Sequence, residues 1–260
     1  VAEKCSLLAP TQLNSRAYNF FMTFSALVEE LTPCPEPWAV ARRCQHFPHL
    51  LFLDSADPHP ERGRYSFVAA DPFAWVEVPR ATFEMRDPFA LLAEQWRQYT
   101  AETLPGLPPF QGGIAGLWGY GLQHCVEQLP RSRFDEFAVP DLALGFYDWV
   151  LAFDHLQNRC WFIATGFPET TPTKRATRAA QSWETIRHAL SQPELPATPL
   201  RQVSVVDPSQ QYPLAKHPQI TSNFSHASYL QAVRRAVEYI HAGDCFQVNI
   251  AQRLLAPLTL

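Results

Sequence analysis

The sequence predicts an α/β (α+β) fold built on large, mainly antiparallel sheets. Two observations carry this. Over the first 165 residues strand-like segments outnumber helical ones, and they come in hairpins. Near the C-terminus a strongly periodic helix runs directly into an alternating, strand-like stretch. Runs of strands mixed with a few helices, without a regular strand–helix alternation, favour antiparallel over parallel sheets. With 47% hydrophobic and 18% charged residues in 260, there is enough apolar material for a real core.

The elements follow in chain order. Ser25–Glu30 reads as a short helix, closed by the proline-rich Thr32–Pro37 stretch, and Pro37–Gln45 as another. Leu50-Leu51-Phe52-Leu53 is a compact apolar run ending in Asp54-Ser55, the pattern of a buried strand entering a loop. Tyr65–Ala70 and Ala74–Val78 are strand-like, rich in Val, Phe and Trp. Asp87-Pro88 opens a helix: the aspartate can accept from the first free amides, and proline at the first helical position lacks only an N–H with no helical partner. Phe89, Leu92, Trp96 and Tyr99 then follow at spacings of 3, 4 and 3, one face of a helix. Leu142–Phe153, interrupted by Asp148, and Cys160–Thr165 flank Asp154–Arg159 as a hairpin. Thr173–Leu190 is a polar-faced helix, and Gln192–Ile220 a proline-rich connector without a period. Ser225–Ala242 is the clearest helix, with Leu230, Val233, Val237 and Ile240 as its apolar stripe and Gly243 suited to its C-cap. Cys245–Leu254 alternates, so a strand burying Phe246, Val248 and Ile250 is expected, with Gln247, Asn249 and Arg253 on the other side.

Charge and cysteine usage exclude several function classes. A net charge of −4 argues against a nucleic-acid binder and offers no polybasic patch to an anionic membrane. No apolar run approaches the roughly 20 residues that span a bilayer. Cys5, Cys34, Cys44, Cys125, Cys160 and Cys245 are scattered, with no Cys-x-x-Cys pair, which argues against a zinc site or a disulfide scaffold. Reduced, mostly buried thiols in a cytoplasmic protein are expected. Residues 1–21 show little pattern, whereas a coherent stretch follows Met22; 1–21 are expected to be a non-native or disordered leader.

Three segments resemble a known family. Leu51-Phe52-Leu53-Asp54-Ser55 with Gly63-Arg64-Tyr65-Ser66-Phe67 is the first. Pro108-Pro109-Phe110-Gln111-Gly112-Gly113-Ile114-Ala115-Gly116, with Tyr120 beyond it, is the second. The third is Tyr229–Arg253, containing Gly243-Asp244-Cys245-Phe246-Gln247-Val248-Asn249-Ile250-Ala251-Gln252-Arg253. In this order and spacing they resemble the N-terminal half of the chorismate-utilising synthases of the aminodeoxychorismate/anthranilate component I family, and Asp244–Arg253 is closer to the aminodeoxychorismate branch. The resemblance implies two stacked sheets wrapped by helices. It divides the chain into an N-terminal lobe over 22–191, a connector over 192–222 and the start of a chorismate-binding catalytic domain over 223–260. It also implies amination of chorismate with Mg2+, using ammonia from a glutamine amidotransferase subunit. The family's metal-binding glutamates, catalytic lysine motif and substrate-carboxylate arginine have no counterpart in this sequence, so the chain is expected to be a truncated, inactive part. Alternatives are the anthranilate synthase branch and a stand-alone module that senses tryptophan or docks the amidotransferase.

Candidate site residues follow from the same segments. Asp54 and Ser55 close a strand beside a loop, which turn chemistry alone can explain. The resemblance instead places Asp54, Ser55, Arg64, Tyr65 and Ser66 in the region that holds tryptophan in relatives. An amino acid needs an acceptor for its ammonium, a donor for its carboxylate and an apolar wall. The second half of that pocket, a Pro-Ser-Pro-Tyr segment, is absent. Gly112–Gly121 carries a Gly-x-x-Gly-x-x-Gly pattern, but no helix signal or Lys-Ser/Thr follows, so close strand packing is expected rather than phosphate binding. Gln247, Asn249 and Arg253 are expected to form a structural hydrogen-bond network, and Arg234 and Arg235 a solvated helix face. No catalytic or metal-ligating residue is assigned in this chain.

Overall fold

The computed structural model describes residues 24–57, 59–79, 88–130, 139–193 and 210–257. The expected leader at 1–21 and the capping Asp87 lie outside them. The first elements are β1 (Leu27–Leu31), α1 (Pro37–Arg43), β2 (Leu51–Leu53), β3 (Tyr65–Ala69) and β4 (Ala74–Val78). Then come α2 (Pro88–Gln98), β5 (Gly113–Trp118), a 3-10 helix (Tyr120–Cys125), β6 (Leu142–Tyr147), β7 (Trp149–Asp154), β8 (Arg159–Ala164) and α3 (Pro172–Ser191). β9 (Tyr212–Leu214), β10 (His217–Ser222), α4 (His226–Ala242) and β11 (Leu254–Leu255) complete the order. The mixture of helices and antiparallel sheets is the α/β (α+β) class expected. The elements fall into two compact units.

The first unit draws on residues up to Phe73, on Tyr99–Gly113 and on the stretch from Phe146 to Glu194. Its centre is a five-stranded sheet in the order β1-β8-β7-β3-β2, antiparallel at every step. α1 and α3 cover one face, where Val40, Ala41 and Cys44 of the first helical segment and Ala179 and Ile186 of α3 meet Trp149, Leu151, Phe153, Cys160, Phe162 and Ala164. The side chains on the opposite face of β7 and β8, among them Val150, Ala152 and Ile163, are buried too, Arg159 at the start of β8 being exposed. Strands buried on both faces lose polar alternation, which is why their sequences read as near-continuous apolar runs. Both helices start as their sequences dictate. Glu36 accepts from the amides of Trp38 and Ala39 ahead of Pro37, and Thr171 accepts from Lys174 ahead of Pro172.

Here the structure corrects one expectation. Ser25–Glu30 is not helical; Leu27–Leu31 is the edge strand β1, paired from Leu27 with Ala164 to Leu31 with Cys160. A helix of that length would satisfy few of its own amides. Pairing with β8 satisfies them along the strand and sets Phe24, Leu27 and Leu31 against the core. It also lets the Arg159 guanidinium donate twice to Glu30, at 2.7 Å each. The apolar run at Leu142 is two strands, β6 and β7, divided at Asp148.

The second unit contains the three-stranded sheet β4-β6-β5, α2, the sheet β11-β10-β9 and α4. On α2 only part of the predicted stripe is buried: Leu92 is enclosed, while Phe89 and Trp96 stay exposed, Phe89 stacking on Trp118 at 6.0 Å between centroids. The 3-10 helix after β5 was not anticipated. The proline-rich connector, read without a clear period, holds the β9–β10 hairpin at its far end; residues 194–209 lie outside the described ones. α4 has the predicted C-cap, Gly243 in the left-handed region at φ 81°, and Ser225 caps its start, its hydroxyl accepting from the Ser228 amide. Two further expectations fail here. No residue of α4 is buried, and Leu230, Val237 and Ile240 of its stripe are each about two-fifths exposed. Cys245–Arg253 does not form a strand; only Leu254–Leu255 pairs, with β10. Phe246 is 93% exposed. An alternating sequence becomes a strand only when a neighbouring strand accepts its backbone hydrogen bonds, and among the described residues none does so here.

Candidate functional site

All five candidate residues fall at one end of the first unit's sheet, where β2, β3 and the β7–β8 turn meet. β3 lies between β2 and β7, with Leu53 opposite Phe67 and Tyr65 opposite Asp154. This register brings Asp54 and Ser55, just past β2, beside Ser66. The Ser55 amide donates to Ser66 Oγ at 3.0 Å, and the Ser55 hydroxyl donates to the Tyr65 carbonyl at 2.6 Å. The Ser66 hydroxyl donates to Asp54 Oδ1 at 3.1 Å and lies 2.7 Å from His155 Nε2. Ser66 is fully buried, whereas Asp54 is exposed.

Arg64 is engaged differently. Its Nε and Nη2 clamp the Asp154 carboxylate, the shortest contact being 2.6 Å. Asp154 also accepts from the amides of Leu156 and Gln157, which shapes the hairpin turn. Burial pushes the Asp154 carboxyl up, but the Arg64 guanidinium and the two amides outweigh it and hold it below the ordinary carboxylate range. The Arg64 guanidinium lies over the Tyr65 ring at 4.9 Å, and Tyr65 neighbours Phe67, which meets Phe110 edge-on at 5.6 Å. The structure therefore places an exposed carboxylate, two hydroxyls and a cation at one end of the sheet, with the Tyr65 ring and the Ser66 hydroxyl on opposite faces of β3. Sequence reasoning missed His155. Its position in the β7–β8 turn was legible, but its approach to Ser66 depends on a register across 89 residues of chain.

The other motifs resolve structurally. The glycine pattern packs strands closely: a Cβ at Gly116 would stand 2.2 Å from the Ala143 carbonyl oxygen, and one at Gly121 would meet the Asp141 carboxylate. Gln111 closes the preceding loop by bonding both the amide and the carbonyl of Leu104. Gln252 donates to Ser222, the Arg253 amide donates to Asn223 Oδ1 while its carbonyl accepts from the Asn223 amide, and Gln247 bonds Asn249. None of the five described cysteines is in a disulfide, and burial pushes the Cys44 thiol up to about 12 and Cys160 higher still. Among the described residues no three His, Cys, Asp or Glu side chains converge as metal ligands. No helix of the described residues is long and apolar enough to cross a membrane.

The family model for chorismate binding enzymes matches residues 51–260. The chain belongs to the chorismate binding enzyme family. Among chorismate binding enzyme relatives, anthranilate synthase component 1 of Thermus thermophilus is 36% identical over 178 residues, covering 68% of this chain and 34% of that protein. Aminodeoxychorismate synthase component 1 of Salmonella typhimurium is 29% identical, covering 81% of this chain and 43% of that one. The chain thus spans between about a third and a half of the length of these curated relatives. The crystal structure of anthranilate synthase component I from Streptococcus pneumoniae TIGR4 matches with a TM-score of 0.51 at 22% identity, covering 81% of this chain and 45% of that one. At that identity the likeness establishes the shared chorismate binding enzyme fold.

Proposed function

We propose that this chain is the N-terminal part of aminodeoxychorismate synthase component I, which aminates chorismate to 4-amino-4-deoxychorismate for 4-aminobenzoate and folate synthesis. The observation that carries the reading is the segment Asp244–Arg253, whose side chains resemble that branch within the matched region. In this reading a glutamine amidotransferase subunit supplies ammonia, which suits relatives named as component 1. Mg2+ assists the complete cytoplasmic enzyme through ligands outside the residues described here. The anthranilate synthase branch is the second reading, favoured by the 36% identity to the Thermus protein. Chromatography and mass spectrometry of the product made by the complete protein from chorismate, ammonia and Mg2+ separate the two. 4-Amino-4-deoxychorismate is expected, and fluorescent anthranilate in its place would move the assignment to the other branch. The 260-residue chain alone is expected to be inactive with ammonia or glutamine, because positioned charges supply most of the rate in such chemistry. EDTA-sensitive turnover by this chain would contradict that.

The same reading makes Asp54, Ser55, Arg64, Tyr65 and Ser66 the region of a tryptophan effector site. Asp54 supplies the acceptor for an ammonium, and Tyr65 the wall. Arg64 is committed to Asp154, so a ligand carboxylate has to share it. If the complete protein binds L-tryptophan, Tyr65→Ala is expected to weaken binding by about 1–2 kcal/mol in calorimetry. Unchanged affinity would remove Tyr65 from the site.

A further inference from the structure

We infer that His155 is a positioning residue that fastens the Asp54–Ser55 loop to the β7–β8 turn through the Ser66 hydroxyl, with its ring hydrogen on Nε2. The consequence for ligand binding rests on the effector reading above; the positioning itself does not. Ser66 Oγ has three neighbours within hydrogen-bond distance: the Ser55 amide at 3.0 Å, Asp54 Oδ1 at 3.1 Å and His155 Nε2 at 2.7 Å. The serine is fully buried, so its partners must come from the protein. A hydroxyl has one hydrogen and two acceptor sites. The Ser55 amide can only donate, and takes one acceptor site. A carboxylate oxygen can only accept, so the hydroxyl hydrogen goes to Asp54. That leaves the histidine a lone pair to face, and Nε2 must donate to it. With the hydrogen on Nδ1 instead, Nε2 would take the serine's hydrogen and leave Asp54 Oδ1 opposed to a hydroxyl lone pair.

The rest of the surroundings support the assignment. The His155 amide donates to the Arg64 carbonyl at 2.9 Å, so the residue is anchored by its backbone as well as its ring. Two carboxylates flank it. Asp54 acts through Ser66, and Asp154 is taken up by Arg64 and by the amides of Leu156 and Gln157. The nearby Asp54–Ser55 loop and the β7–β8 turn, 89 residues away, therefore meet on one hydroxyl. By donating to that hydroxyl, the histidine leaves its hydrogen to the Asp54 carboxylate and helps hold the loop in place.

Nitrogen-15 NMR of the unliganded 260-residue chain at a pH where histidine is neutral tests the tautomer. A pyrrole-like Nε2 and a pyridine-like Nδ1 are expected for His155. An Nδ1–H tautomer, or fast averaging of the two, would overturn the inference. Hydrogen exchange at the Ser55 amide provides the second arm. His155→Gln can still place an N–H near Ser66 and is expected to retain protection, whereas His155→Leu should exchange about tenfold faster. Equal protection in the leucine variant would also overturn it, and if that variant fails to fold the tautomer measurement still decides. L-tryptophan titrated into the complete protein, with and without the same substitutions, separates the two layers. About tenfold weaker binding to His155→Leu, with binding kept in His155→Gln, supports both. No binding to any of them removes the effector reading and leaves the tautomer result standing.

Discussion

Two buried aspartates, each paired with an arginine, are driven in opposite directions. Asp154 is pushed up by burial, yet Arg64 and two amides more than compensate and hold its carboxyl low. Asp148 is equally enclosed, but only its Oδ2 has a partner, Arg178 Nε at 2.9 Å. Its Oδ1 is buried without one among the described residues, and burial therefore wins and pushes the carboxyl up. The signs of their linkage to stability follow. A depressed carboxyl contributes stability that is present above the unfolded value of about 4 and lost as pH falls through the lower folded value. Asp154→Asn is expected to be less stable than wild type at pH 7, with the gap closing in acid, by urea unfolding across pH. A raised carboxyl behaves the other way. Its contribution is present below about pH 4 and lost as pH rises through the higher folded value. The stability of wild type relative to Asp148→Asn is expected to decline from acid toward neutrality. A gap that stayed constant across pH would show that Asp148 keeps an ordinary carboxyl.

At the scale of elements, the glycine-rich strand β5 is defined by what it lies against. Gly116 has φ 146°, and a Cβ there would overlap the Ala143 carbonyl oxygen at 2.2 Å. Gly116→Ala must strain the backbone and displace β6, at a cost of about 2 kcal/mol or more. Gly106 is the control: its φ is 78°, but nothing lies within 4 Å of the added methyl. Gly106→Ala is expected to cost about 1 kcal/mol, the conformational part alone. Denaturant midpoints of the two variants check the ordering, and equal losses would deny the close approach of β5 to β6. The same scale explains why elements differ in legibility. α1, α3 and α4 carry local start signals, Pro37 after Glu36, Pro172 after Thr171 and Ser225 at its cap, and all three form where read. β1 carries no comparable local signal and takes its structure from β8.

For the molecule as a whole, apolar surface is unevenly distributed. The first unit closes a dense core between its sheet and two helices. In the second, α4 leaves Leu230, Val237 and Ile240 partly open, and Phe246, Val248 and Leu254 follow in a stretch with little sheet pairing. Exposed apolar groups of this kind, next to backbone not paired in a sheet, favour association with another chain. The chain is expected to self-associate as its concentration rises, by size-exclusion chromatography with light scattering. Phe246→Lys is expected to reduce that association without loss of helix content by circular dichroism. A monomer at all concentrations would show that this surface is satisfied within one chain.

The sequence by itself determined the fold class, the places of α1, α3 and α4, the β7–β8 hairpin and the family, because these depend on local capping, short-range periodicity and ordered motifs. Through the family resemblance it also pointed to Asp54, Ser55, Arg64, Tyr65 and Ser66 as one region. Only the tertiary structure decided that Leu27–Leu31 is a strand, since its hydrogen-bond partners lie at Cys160–Ala164. Only it committed Arg64 to Asp154 and brought His155 to Ser66, contacts made across 90 and 89 residues of chain. The alternation at Cys245–Leu254 marks the opposite limit. A period of two states which side chains would share a face, but the strand itself exists only where a neighbour supplies the other half of each hydrogen bond.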